Sequence, residues 1–208
     1  DVRLVHVDAG DSKSFGGWEQ WADVIVFQGH ALEVFPVLQT STKHLIADIY
    51  DPMHLEQLEQ AKHLSNTQWE QQVADATATI QRQLEVGDYF VCASERQRHF
   101  YLGQLTTLGR VTPAIYASDP HLERLIGVVP FGLPDSDPHK DKSMLRGVVA
   151  GIDEGDAVLV WSGGIYDWFD PLTLIRAVAE LSKQQPRVKL FFMGTAHPHP
   201  GVPEMPII

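Results

Sequence analysis

Residues 157–181, AVLVWSGGIYDWFDPLTLIRAVAEL, decide the fold class. The apolar run 157–161 reads as a buried strand. It enters the turn Ser162-Gly163-Gly164, and Asp170-Pro171 then opens an amphipathic stretch that reads as a helix. Asp170 suits the N-cap, with Pro171 at the first helical position. Strand, glycine turn and helix start is a unit that can hold an anion. Glycines let the backbone approach a ligand closely, and helix-start amides carry partial positive charge. This turn has neither Lys nor Arg, so any anion it held would be held by the backbone. The same residues also read as an ordinary strand-to-helix turn. The spacing is neither G-x-G-x-x-G nor a Walker A loop, so neither nucleotide fingerprint applies.

The pattern repeats outward. Strands are expected at 23–28, 44–49, 89–93, 125–130, 157–161 and 188–193. Helices are expected at 30–38, ending near Pro36, and at 54–64. A longer one, capped by Asn66-Thr67, carries Trp69, Val73, Ala76, Ile80 and Leu84 on one face. Another is capped by Ser94 and stopped by Gly109, and the last spans 171–183. Strands that are apolar throughout, separated by helices, predict parallel sheets covered on both faces. The stretch FGLPDSDPHKDKSM, residues 131–144, reads as a linker. It divides the chain into a domain over 1–135 and the start of a second over 136–208. There is no internal repeat, heptad pattern or low-complexity tract.

Composition narrows the classes. The chain has 208 residues, 44% hydrophobic and 21% charged, with a net charge of −11, ordinary for a globular protein. A general nucleic-acid binder needs a basic surface, so nucleic acid is not an expected partner. No apolar run approaches the roughly 20 residues that span a bilayer; docking on a membrane surface is compatible with the composition. The single cysteine, Cys92, lies in an apolar run and reads as a buried core thiol. No disulfide can form within the chain, which suits a reducing cytoplasm. Residue 1 is Asp rather than Met, and the strand pattern at 188–193 leads into a proline-rich tail. A piece of a longer chain is therefore expected.

Two further stretches fall at the carboxyl ends of expected strands, where open α/β sheets bind ligands. In Asp48-Ile49-Tyr50-Asp51-Pro52, two carboxylates and a phenol suit acid–base work or sugar-hydroxyl binding; Asp51 reads equally well as the cap of the next helix. In Ser94-Glu95-Arg96-Gln97-Arg98, Arg96 and Arg98 suit phosphate as planar forks, or form the solvated first turn of a helix. His197-Pro198-His199 has prolines around it and no nearby third ligand, so it reads as a loop rather than a metal site.

Taken in order, Tyr50-Asp51, Cys92-Ala93-Ser94-Glu95, Pro130-Phe131-Gly132 and Gly163-Gly164 resemble the bacterial glycosyltransferases of family four. The resemblance runs from about residue 20 to the end. It implies a GT-B fold, with two Rossmann-like parallel-sheet domains facing a cleft. The first would lie on the acceptor side, and the second, incomplete here, on the nucleotide-sugar side. It implies a retaining hexosyl transfer from a nucleotide-sugar to an acceptor hydroxyl, with no metal and no cofactor beyond that co-substrate. The acceptor would be a glycan, a lipid-linked molecule or a small metabolite, as in bacterial polysaccharide biosynthesis. The setting would be the cytoplasm or the inner face of the membrane.

The departures are specific. Gly164 stands where the family has a phosphate-binding arginine, Phe169 where it has a lysine, and Tyr50 where it has a histidine. The family's acidic E-x7-E motif would lie beyond Ile208. On the resemblance, Tyr50 and Asp51 are the candidate catalytic residues. Gly163, Gly164, Asp167, Trp168, Asp170, Ser94, Arg96 and Arg98 are the candidate donor-binding residues, with Trp168 as a stacking face. Two other readings stand beside the enzyme: a non-catalytic binding or scaffold protein on a GT-B frame, which the lost cations favour, and an unrelated two-domain α/β sugar-binding module.

Overall fold

The computed structural model describes residues 2–165 and 169–194. The chain divides into two units, Asp1–Leu133 and Pro134–Ile208, each with its own parallel sheet. The fold is mixed α/β.

The first unit runs α1 (Ser12–Trp21), β1 (Val24–Gln28), α2 (Ala31–Val34), β2 (His44–Asp48), α3 (Met53–Gln60), α4 (Asn66–Val86), β3 (Tyr89–Cys92), α5 (Glu95–Thr107), α6 (Pro113–Ser118) and β4 (Ile126–Val128). The four strands lie in the order β1-β2-β3-β4, all parallel. Val24 pairs with His44, Ile46 with Tyr89, and Phe90 with Ile126.

Local chemistry explains most boundaries. Ser65 accepts a hydrogen bond from the Gln68 amide and Gln68 reaches back to the Ser65 amide, a capping box that starts α4. The cap is thus Ser65, one residue before the expected Asn66. Gly109 takes φ +71° just after α5, and the Arg110 amide donates to the Leu105 carbonyl at 2.8 Å. This left-handed close needs a glycine. The single helix expected at 30–38 is instead α2 followed by a 3-10 turn, Pro36–Thr40, because Pro36 has no amide to continue an α-helical ladder. Helices α1 and α6 were not expected, although Thr112 and Pro113 supply the cap and first residue of α6.

The core lies on one face of the sheet. Phe27, Leu45, Ala47, Phe90, Cys92 and Ile126 point into it, met by Leu32 of α2, Ile80 and Leu84 of α4, and Tyr101 and Leu105 of α5. A side chain such as Leu84 stabilises the fold by about 1.5–3 kcal/mol through burial. The opposite face carries Val24 and Val26, 49% and 64% exposed, beside the half-buried Ile46 and Val91. The expectation of a sheet covered on both faces is corrected here. Each crossover moves one strand further in the same direction, and right-handed crossovers of that kind leave the connecting helices on one side.

In the second unit, β5 (Ala157–Trp161) and β6 (Val188–Phe192) are parallel, joined by α7 (Pro171–Gln184). Asp156 is buried beside them. It accepts the Asp153 amide at 2.8 Å and lies 3.7 Å from Arg187 and 3.9 Å from Lys189, a structural ion cluster at the foot of β5. Among the described residues, no helix is long and apolar enough to cross a membrane.

Candidate functional site

The loops after β2 and β3 emerge side by side because the strands are parallel and adjacent. Gln97, on the first turn of α5, ties them together. Its Oε1 accepts the Ala93 amide at 2.8 Å, and its Nε2 donates to the Tyr50 carbonyl at 2.6 Å. Ser94 caps the same helix by accepting the Gln97 amide at 3.3 Å. Ser94-x-x-Gln97 is therefore a cap signature whose glutamine serves the neighbouring strand. The Asp48 carboxylate accepts the Tyr50 amide at 3.4 Å. The Tyr50 ring meets Phe131 edge-on at 5.8 Å, so residues 50–51, 94–97 and 131 share one end of the sheet.

Asp51 does not cap α3. The cap position is Pro52, which offers no side-chain bond, and Asp51 Oδ1 is buried without a hydrogen-bond partner. Three residues that the sequence reading passed over surround it. Burial and the charge and hydrogen bond of Asp51 push the Glu56 carboxyl up from its ordinary value. Burial holds the His54 imidazole below its ordinary value, with Asp51 acting in the opposite sense. The fully buried Tyr101 phenol is pushed up, chiefly by burial and then by the Asp51 charge. His54 also stacks on Phe100, with centroids 5.6 Å apart. The signal for Tyr101 was its place four residues after Gln97, on the inward face of α5. For Glu56 it was a second carboxylate within the first turns after Asp51.

The two arginines differ. Arg98 is turned inward: Nε donates to the Ile126 carbonyl at 3.1 Å and Nη2 to the His121 carbonyl. It stitches α5 to β4 and is not displayed as a phosphate fork. Arg96 is exposed on the first turn of α5. Cys92 is buried, and burial pushes its thiol up, the signature of a core thiol.

In the second unit, the Trp161 indole donates to the Gly164 carbonyl at 2.9 Å, folding the turn back on its own strand. Gly163 does not have positive φ, and a Cβ there would lie 3.4 Å from the Phe169 ring, an ordinary contact. Asp170 accepts the Thr173 amide at 2.9 Å and caps α7; its bonds to Thr173 hold its carboxyl below the usual value. Asp167 and Trp168 lie outside the described residues, as does His197-Pro198-His199. Among the described residues, no group of three or more His, Cys, Asp or Glu side chains is arranged to hold a metal ion.

No family model matches the chain, and no curated protein matches it.

Proposed function

We propose that the chain is part of a bacterial GT-B glycosyltransferase that moves a hexose from a nucleotide-sugar to an acceptor hydroxyl. The observation that carries this is the meeting of the β2 and β3 loops at the carboxyl edge of a parallel sheet. There a shielded carboxylate, Asp51, and a phenol, Tyr50, stand beside the capped start of α5 with Arg96 exposed on it. In open α/β sheets, ligands bind outside the carboxyl ends of the strands. The resemblance of the motifs in their order adds to it.

In the proposed reaction, the acceptor oxygen bonds to the anomeric carbon as the bond from that carbon to the diphosphate breaks. The nucleoside diphosphate leaves with the electron pair, and the proton of the acceptor hydroxyl passes to the departing phosphate oxygen. Tyr50 and Asp51 orient sugar hydroxyls. Arg96 and the amides at the start of α5 stabilise charge on the leaving group. Arg98 has no part in this, since its guanidinium is occupied. The work would be done in the cytoplasm, at the inner membrane face when the acceptor is lipid-linked.

The test is calorimetric titration with UDP, GDP and ADP and their hexose conjugates, followed by transfer of labelled sugar to a panel of acceptors. The expected result is binding of one diphosphate class, weakened at least tenfold by Arg96→Ala. Absence of binding at millimolar nucleotide would end the reading. Binding without transfer would favour the second reading, a non-catalytic GT-B protein. That alternative is supported by the lack of cations in the 162–165 turn and the inward commitment of Arg98.

A further inference from the structure

The polar cluster beneath the β2 loop gathers shielded polar atoms from a loop and two helices. Asp51 Oδ1, His54 Nδ1 and the Tyr101 hydroxyl are all closed off from solvent without hydrogen-bond partners, and Tyr101 is 0% exposed. A carboxylate oxygen in such a place is strongly unfavourable unless a cation or donors face it. The Arg98 guanidinium, on the same helix as Tyr101, is committed to the Ile126 and His121 carbonyls. Glu56 reaches Asp51, while its own Oε2 accepts Gln60 Nε2 at 3.1 Å. Two carboxyl groups that touch in a half-buried site hold one proton between them more readily than none.

We propose that Glu56 is a positioning residue for Asp51: its protonated carboxyl donates to the Asp51 carboxylate and fixes that side chain at the carboxyl edge of the sheet. This deepens the site proposed above and rests on Asp51 belonging to it, but the tests below do not depend on sugar transfer. The titratable groups acting with Glu56 are Asp51 from the loop and Tyr101 from α5, and Gln60 on its own helix donates to it; His54 acts with Asp51, and Cys92 of β3 with Tyr101. Glu56 is the member that keeps the proton, because burial and the Asp51 charge both raise its carboxyl. A carboxyl raised on folding stabilises fully below its unfolded value, and that stabilisation is lost as pH rises through the folded value. His54, lowered on folding, acts in the opposite sense, with its stabilisation lost as pH falls.

Glu56→Gln separates these effects, since its amide donates the same hydrogen bond at every pH. Thermal unfolding of wild type and Glu56→Gln is measured between about pH 5 and about pH 8. The expected result is a wild-type Tm that falls relative to the variant by a few degrees across that range; parallel curves would overturn the proposal. Glu56→Leu, which cannot donate at all, should lie below wild type at the acid end. Should Glu56→Gln fail to fold, carboxyl carbon NMR on 13C-labelled wild type decides alone. The Glu56 resonance should titrate above the usual glutamate range and move down in Asp51→Asn. An ordinary midpoint that Asp51→Asn leaves unchanged would refute the assignment. Neither readout uses nucleotide, so failure of this proposal and failure of the transferase reading are told apart.

Discussion

Replacing Gln97 with leucine should loosen the candidate site and destabilise the first unit together. The wild-type side chain makes two bonds that no backbone group replaces: the Ala93 amide to Oε1 at 2.8 Å, and Nε2 to the Tyr50 carbonyl at 2.6 Å. Leucine is close in size, so the packing loss is small, but a donor and an acceptor are left without partners. A buried unpaired group costs about 1–3 kcal/mol. Both sites are part-buried, so water reaches them incompletely and the lower half of that range applies. The sum is about 2–4 kcal/mol, or roughly 6–16 °C in Tm for a unit of this size. Gln97→Glu is the informative partner: it keeps the acceptor for Ala93 but sets a carboxylate oxygen against the Tyr50 carbonyl. It should cost at least as much as leucine, and the cost should shrink on acidification. Urea denaturation followed by circular dichroism gives the stability, and amide NMR reports the Ala93 and Tyr50 environments. A Gln97→Leu loss below about 0.5 kcal/mol, within the range of ordinary surface substitutions, would refute the view that this side chain joins the two loops.

Two further outcomes follow from the same geometry. Arg110 donates to the Leu84, Glu85 and Gly87 carbonyls at 2.6–2.7 Å and lies over the Phe90 ring at 5.6 Å, closing the end of α4. Arg110→Ala should cost about 2–3 kcal/mol by urea denaturation, and Arg110→Lys should recover less than half, since an ammonium lacks the planar fork. Asp170 is held below the usual carboxyl value by its bonds to Thr173, so its contribution is present at neutral pH and lost as pH falls through that lowered value. Asp170→Ala should therefore lower the melting temperature of the second unit at pH 7. The gap from wild type should close in strong acid, and a gap unchanged with pH would argue against the cap.

Much of the candidate site follows from strand ends. Tyr50 and Asp51 after β2, Ser94 after β3 and Asp170 before α7 stand where apolar runs give way to helix caps, and such boundaries are local. The partners of those residues are not local. Gln97 meets Tyr50 across 47 positions, and Arg98 meets Ile126 across 28. Whether an arginine points to solvent or stitches a helix to a strand depends on which face of α5 meets the sheet. Arg98 stands three residues before the inward Tyr101 and shares its face of α5, while Arg96 does not, so one is bound and the other exposed.

Periodicity, caps and glycine stops were enough to determine by themselves that the chain is α/β with parallel strands, because each rests on contacts within a few residues. Tertiary structure alone decided that α2, α4 and α5 of the first unit gather on one face of its sheet. Strand order sets that, through the handedness of crossovers, and strand order is written in no single segment. It alone also brought Asp51, Glu56 and Tyr101 into one half-buried cluster: polar side chains from a loop and two helices acquire a common environment only when packing brings them together and excludes part of the water.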